Sequence, residues 1–253
     1  MRIVDVNCGV GPWPFRYLPR DTVADLVGAM DAHGVRAALV YPLEALFHKD
    51  PYEANLRLAD ELAGQDRLLF SPIIDPLLPR WEAELQEYLS LGARAARVFP
   101  RYQFDAELGA LGTLAAELQG RDVPLLLHGI LEDPRIRHRH CRYEPTTLND
   151  IIEATAPAEE LDVVLCGFTN GEIAACQTLM DRRVFVDTSA ADVGGGIPRL
   201  VDLVGESQVL FGSLFPLKNY ESGIAELLTH NLPESVASKM AWRNAEGLLG
   251  ELA

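Results

Sequence analysis

The chain has 253 residues, 48% of them hydrophobic, with 22 Lys and Arg against 37 Asp and Glu for a formal net charge of −15. That length suits one large domain spanning 1–253 and also suits a (β/α)₈ barrel, which typically takes roughly 250 residues. The acidic balance, with a sequence pI near 4.8, argues against a general nucleic-acid or anionic-membrane surface.

Asp5 interrupts the first apolar run, and Pro12, Pro14 and Pro19 follow, which is unlike a secretory leader. No apolar run is long enough to span a membrane. Cys8, Cys141, Cys166 and Cys176 lie far apart and form no C-x-x-C pair. In a chain of this size that spacing points away from a disulfide framework and toward a reducing, cytoplasmic setting.

Short apolar runs alternate with amphipathic stretches along the whole chain, the rhythm of βα units around a parallel sheet. Strands are predicted at 2–7, 37–41, 68–74, 95–99, 123–128, 161–166, 184–188 and 208–211. Most are continuous apolar runs, as strands buried on both faces require. Helices are predicted between them at 21–33, 51–65, 80–91, 106–119, 146–156, 171–181, 197–204 and 220–230, with a closing helical stretch at 233–252. In the first helix Ala24, Leu26, Val27, Met30 and Ala32 follow helical spacing, and Gly34 supplies a stop. The fold class is therefore α/β: a single (β/α)₈ TIM barrel with parallel strands and an added C-terminal helix. The longest irregular stretch, 129–145, follows the fifth strand. Loops after strands lie at the active end of such barrels, so it is a candidate lid or pocket wall.

Six phrases carry more than fold: Ile3-Val-Asp-Val-Asn-Cys-Gly9, Gly92-Ala-Arg-Ala-Ala-Arg-Val-Phe-Pro100, Val123-Pro-Leu-Leu-Leu-His128, Val184-Phe-Val-Asp-Thr-Ser189, Phe211-Gly-Ser-Leu-Phe-Pro216 and Asn244-Ala-Glu-Gly-Leu-Leu249. In this order they resemble the amidohydrolase superfamily, specifically the amidohydrolase-related branch of metal-dependent TIM-barrel hydrolases. The resemblance implies a His-x-His pair after strand one, a His after strand five, another after strand six and an Asp after strand eight, together holding one or two metal ions. Matched position by position, the pair falls on Asn7 and Gly9, the sixth-strand His on Gly167 and the Asp on Leu214, and only His128 is kept. A catalytic zinc needs about three protein ligands and an open position. The reading is therefore a degenerate metal site, with no metal and no cofactor.

Other residues compete for function. His128 is a candidate acid or base because imidazole titrates near neutral pH, and Asp187, ending strand seven, is a candidate to orient it or to exchange protons itself. Arg97, Arg101 and Tyr102 are expected at the barrel mouth, where arginine would hold a small anionic ligand through paired hydrogen bonds. Asn7 and Ser213 are the remaining substrate-binding candidates. A metal site relocated onto His48, His138, His140 and Cys141 is an alternative, opposed by the charges of Arg135, Arg137, Arg139 and Arg142 in the same loop. Gly194-Gly-Gly196 is a weak phosphate-loop candidate. Cys8 is expected to point away from the lumen if Asn7 and Gly9 point inward.

Three functions follow. The first is a metal-independent hydrolase, lactonase or decarboxylase of a small carboxylate that uses His128. The second is a non-catalytic barrel, a pseudoenzyme candidate binding a ligand or partner, with its mouth filled by Phe99, Leu214 and Phe215. The third is metal-dependent hydrolysis by relocated ligands. Trp13, Phe15, Tyr17 and Leu18 form an apolar patch in the first loop that would cover the mouth or meet a second copy of the chain.

Overall fold

The computed structural model describes residues 2–103, 108–141, 143, 145–176, 183–191, 196–230, 232–250 and 252. Eight parallel strands run β1 (Ile3–Val10), β2 (Val35–Pro42), β3 (Leu68–Phe70), β4 (Ala96–Val98), β5 (Leu125–His128), β6 (Val163–Cys166), β7 (Val184–Asp187) and β8 (Val209–Leu210). The ladders link β1 to β3 and β4 to β8. Two seams close the ring. Val6 N donates to Phe211 O at 3.0 Å and Gly9 N to Phe215 O at 2.6 Å, while Arg97 N donates to Pro72 O and Ile74 N to Arg97 O, both at 2.9 Å. Pro72, which has no N–H to give, falls where the third strand was expected to continue to residue 74, so regular pairing stops at Phe70.

The helices are α1 (Val23–His33), α2 (Tyr52–Leu62), α3 (Trp81–Ser90), α4 (Pro100–Gln103), α5 (Gly109–Gln119), α6 (Leu148–Ala154), α7 (Asn170–Ala175), α8 (Gly196–Val204), α9 (Tyr220–Thr229), α10 (Glu234–Ser238) and α11 (Asn244–Leu249). Local chemistry sets several boundaries. Thr22, Thr147 and Thr169 each cap a helix reciprocally with Asp25, Asp150 and Glu172, satisfying amides that the first turn leaves free. Gly34 ends α1 at φ 67°, a left-handed turn that costs glycine little. The closing stretch is not one helix: a π-helical turn at Lys239–Arg243 separates α10 from α11. The predicted helix starts at 106–107 and the end of the sixth helix at 177–181 lie outside the described residues, as do Gly194 and Gly195 of the glycine run and Arg142.

Strand alternation sorts the core into layers. Val4, Val6, Leu39, Leu126, Val164 and Leu210 pack together in the lower lumen. Leu26, Val40, Leu127, Leu165 and Val186 face the helices. Counting two residues on from the lumen set, Tyr41, His128 and Cys166 point inward one layer higher. In β1 the register slips: Asp5 pairs with Ala38 but Cys8 with Val40, so one extra residue is accommodated. Such a bulge re-aims the next side chain. Asn7 therefore follows Val6 into the lumen, while Cys8 packs outside with the helix-facing core.

Candidate active site

Four side chains from four strands meet in the upper lumen, each with no solvent exposure: Asn7, Arg97, His128 and Asp187. Arg97 is the hub. Its Nη1 donates to Asn7 Oδ1 at 3.1 Å and to His128 Nε2, and its Nη2 donates to Val6 O at 2.9 Å. The guanidinium carbon lies 4.3 Å from the centre of the Tyr41 ring, a cation–π contact strengthened by the burial of both residues. Asn7 relays the charge, since its Nδ2 donates to Asp187 Oδ2 at 2.7 Å. Asp187 Oδ1 accepts from Gly167 N at 3.0 Å, Ser189 Oγ at 2.8 Å and Ser189 N at 3.2 Å.

This arrangement fixes protonation states. Guanidinium can only donate, so His128 Nε2 accepts and the ring proton sits on Nδ1. Nδ1 has no hydrogen-bond partner. Burial and then the Arg97 charge drive the His128 pKa well below its ordinary value, so the imidazole is neutral. The ring stacks on Phe99, centroids 4.3 Å apart. Burial raises the Asp187 carboxyl while its donors pull the other way.

Arg97 was expected at the mouth with its donors free. It is instead buried within the barrel, where β4 points it inward beneath the Tyr41 ring and Phe99 stacks on its partner His128. Above lies an apolar layer that includes Trp13, Leu18, Tyr41, Phe99, Leu131 and Leu214, with Phe15 and Phe47 packed on it. The first-loop patch folds back onto the mouth except for Tyr17, which is 86% exposed. The loop after β5 joins it through Leu131, Cys141 and a stack of His138 on Phe15. Among the described residues, five surface cavities form without Asn7, Arg97, His128 or Asp187 in their walls.

The other candidates lie elsewhere. Ser213 Oγ accepts from Phe215 N at 3.0 Å and its own N–H donates to Asp5 Oδ1 at 3.1 Å; it holds the turn and does not enter the lumen. Arg101 and Tyr102 sit on α4 at the rim, beside a cavity that also contains His48 and His140. No group of three or more His, Cys, Asp or Glu side chains among the described residues could hold a metal ion. The relocated metal site therefore does not assemble: His138 is stacked on Phe15 and Cys141 is buried in the mouth layer.

Comparison with known proteins bears on the fold and the family. The family profile described as amidohydrolase matches residues 10–250. The chain belongs to the amidohydrolase family. Similar solved structures include 2,6-dihydroxybenzoate decarboxylase from Rhizobium, at TM-score 0.73 and 17% identity over 98% of both chains. The 5-carboxyvanillate decarboxylase from Sphingomonas paucimobilis aligns at TM-score 0.72 and 14% identity, again over 98% of both. A dihydroxybenzoic acid decarboxylase from Polaromonas, solved with bound manganese and the inhibitor 2-nitroresorcinol, aligns at TM-score 0.68 and 18% identity over 98% of this chain and 96% of that one. No curated protein sequence matches significantly. These likenesses establish the barrel; at such identities they carry no chemistry across.

The amidohydrolase metal can be tested against the residues present. Asn7 and His128, the two ligand-equivalent positions that retain polar side chains, both give their acceptor atoms to Arg97 Nη1. Gly9 offers nothing, and a Cβ there would meet the Tyr41 ring at 3.1 Å, so that ring fills the room of the missing side chain. Gly167 contributes only a backbone N–H, already given to Asp187. Leu214 is buried in the apolar mouth at φ 58°, a strained conformation for leucine. At these positions a divalent cation would find one amide oxygen and one imidazole beside a fixed positive charge, and the nearby Asp187 carboxylate already accepts from Asn7, Gly167 and Ser189. The set does not fit the group.

Sequence reasoning missed Tyr41 and misjudged Arg97. The signal was available in parity: Tyr41 lies two residues beyond Leu39 and Arg97 two beyond Ala95, so both belong to the lumen face.

Proposed function

We propose that this amidohydrolase-family chain is a binding barrel in which the usual centre no longer performs metal-dependent hydrolysis or decarboxylation. One observation carries the reading: the Arg97 guanidinium holds both surviving ligand-position acceptors, in a lumen with no exposure to solvent. A tethered cation there takes up the Asn7 and His128 acceptors and, through Asn7, faces the Asp187 carboxylate, so those acceptors are not free for a divalent ion. The small carboxylates named for its structural neighbours suggest the ligand class to try first. The test is elemental analysis of protein purified without a metal-affinity tag, together with turnover of hydroxybenzoates and lactones with and without added manganese or zinc. Stoichiometric metal, or turnover abolished by a chelator, would overturn it.

A second reading, a metal-free acid–base enzyme of a small carboxylate, is favoured by the unpartnered Nδ1–H of His128, whose Nε2 joins through Arg97 and Asn7 to the buried Asp187 carboxyl. There His128 would deliver or accept a proton once the mouth layer opened. Chelator-insensitive turnover that disappears in a His128→Ala variant melting like the parent would establish it over the first reading.

A further inference from the structure

Off the barrel axis, on the side of the strand C-termini, a cavity of about 530 Å³ opens between the loops that follow β2, β3, β4 and β5. Phe47, Lys49, Asp75, Arg101, Tyr102 and Tyr143 supply its chemistry. The volume lies within the range of small-molecule sites, and its position is where barrel loops build them.

Arg101 is the built element. It is 3% exposed, and one side of its guanidinium is clamped: Nε donates to Thr146 O at 3.0 Å and Nη2 to Glu172 Oε1 at 2.6 Å. Glu172 cannot swing away easily, because its other oxygen accepts from Thr169 N and Oγ1 at 3.0 and 2.9 Å in the cap of α7. The third nitrogen, Nη1, is buried with no partner. A desolvated, charged donor left unpaired is costly, and an incoming acceptor relieves that cost. Phe168 and Tyr143 flank the guanidinium at 5.0 and 5.6 Å, fixing its plane.

The surroundings add donors. The Tyr102 hydroxyl accepts from Leu131 N at 3.1 Å, which leaves its own proton to give, and burial keeps that phenol protonated. Lys49 forms no ion pair among the described residues, and neither does Arg137, which lies 4.2 Å from the centre of the same Tyr143 ring that Arg101 faces. The imidazoles of His48 and His140 complete the wall. Against these stands the single acid of the lining, Asp75, whose Oδ1 already accepts from Leu77 N. With Lys49 and Arg101 against Asp75 in the wall and Glu172 paired behind Arg101, the cavity is close to neutral in a chain of net charge −15.

We propose that the rim cavity binds a small organic anion: a carboxylate or phosphate takes the free edge of Arg101 with the Tyr102 hydroxyl and Lys49, and a flat apolar body lies on Phe47. This assigns a place to the binding role proposed above, yet it stands on groups separate from the lumen and holds whether or not the lumen catalyses.

The experiment is calorimetric titration of the full chain at low salt with benzoate and with inorganic phosphate, followed by crystal soaking with 4-bromobenzoate. Saturable binding is expected, weakened on the order of tenfold or more by Lys49→Ala and by Arg101→Lys, which keeps the charge but loses the planar fork. The bromine anomalous peak should fall in the rim cavity. Preference for benzoate identifies a carboxylate ligand, and preference for phosphate a phosphorylated one. Absence of saturable binding by either probe at millimolar concentration overturns the proposal. So does binding indifferent to both substitutions in variants that melt like the parent, or bromine located beside His128.

Discussion

Replacing Arg97 by Met separates a lumen cation from a ligand-binding arginine at the mouth. Methionine keeps the length of the stem and removes only the guanidinium. Three acceptors lose their donor: Asn7 Oδ1, His128 Nε2 and Val6 O, all in residues without solvent access. The cation–π contact with Tyr41 is lost as well. Each stranded buried acceptor costs about 1–3 kcal/mol before relaxation, and removing one partner from a buried ionic network costs about 3–5 kcal/mol overall. For a chain of this size each kcal/mol moves the midpoint by about 2–4 °C, giving a fall in Tm of about 6–20 °C. Urea denaturation and thermal melting followed by circular dichroism measure both quantities. An arginine held ready at an open mouth would cost little when removed, about 0.5 kcal/mol. A variant melting within about 2 °C of the parent would refute the lumen-cation argument.

Two further outcomes test the same layer. The folded His128 pKa is depressed, so below about pH 6.5 the unfolded chain binds a proton that the folded chain does not. Its contribution to stability is therefore level above that pH and declines by up to about 1.4 kcal/mol per unit as the pH falls below it. In an NMR titration the His128 ring should still be neutral where an ordinary imidazole is half protonated, and a midpoint near 6.5 would contradict the assignment. Gly9→Ala places a Cβ 3.1–3.3 Å from the Tyr41 ring and should cost about 1–3 kcal/mol by overpacking. Combining it with Tyr41→Leu should recover part of that loss; strict additivity in the double-mutant cycle would show that Tyr41 does not fill the space beside Gly9.

The eight apolar runs and the amphipathic stretches between them were enough to specify a parallel barrel, because strands covered on both faces need unbroken apolar sequence and helices need only a stripe. The residues on which the proposed loss of family ligands rests, Asn7, Gly9, Gly167 and Leu214, were likewise legible, since that reading depends on residue identity alone. Which of the remaining polar groups meet was not. Arg97, Arg101 and Tyr102 lie within six positions of one another, and sequence placed them at one mouth. The structure parts them: β4 points Arg97 into the lumen, while the turn into α4 carries Arg101 and Tyr102 out to the rim. The bulge in β1 that brings Asn7 inward leaves no trace in composition, because one extra residue shifts the parity of every side chain after it. Identity along the chain thus determined the barrel fold and which polar groups were available to its lumen. Only closure of the ring, which joins strands far apart in sequence, decided that a guanidinium would take up the Asn7 and His128 acceptors.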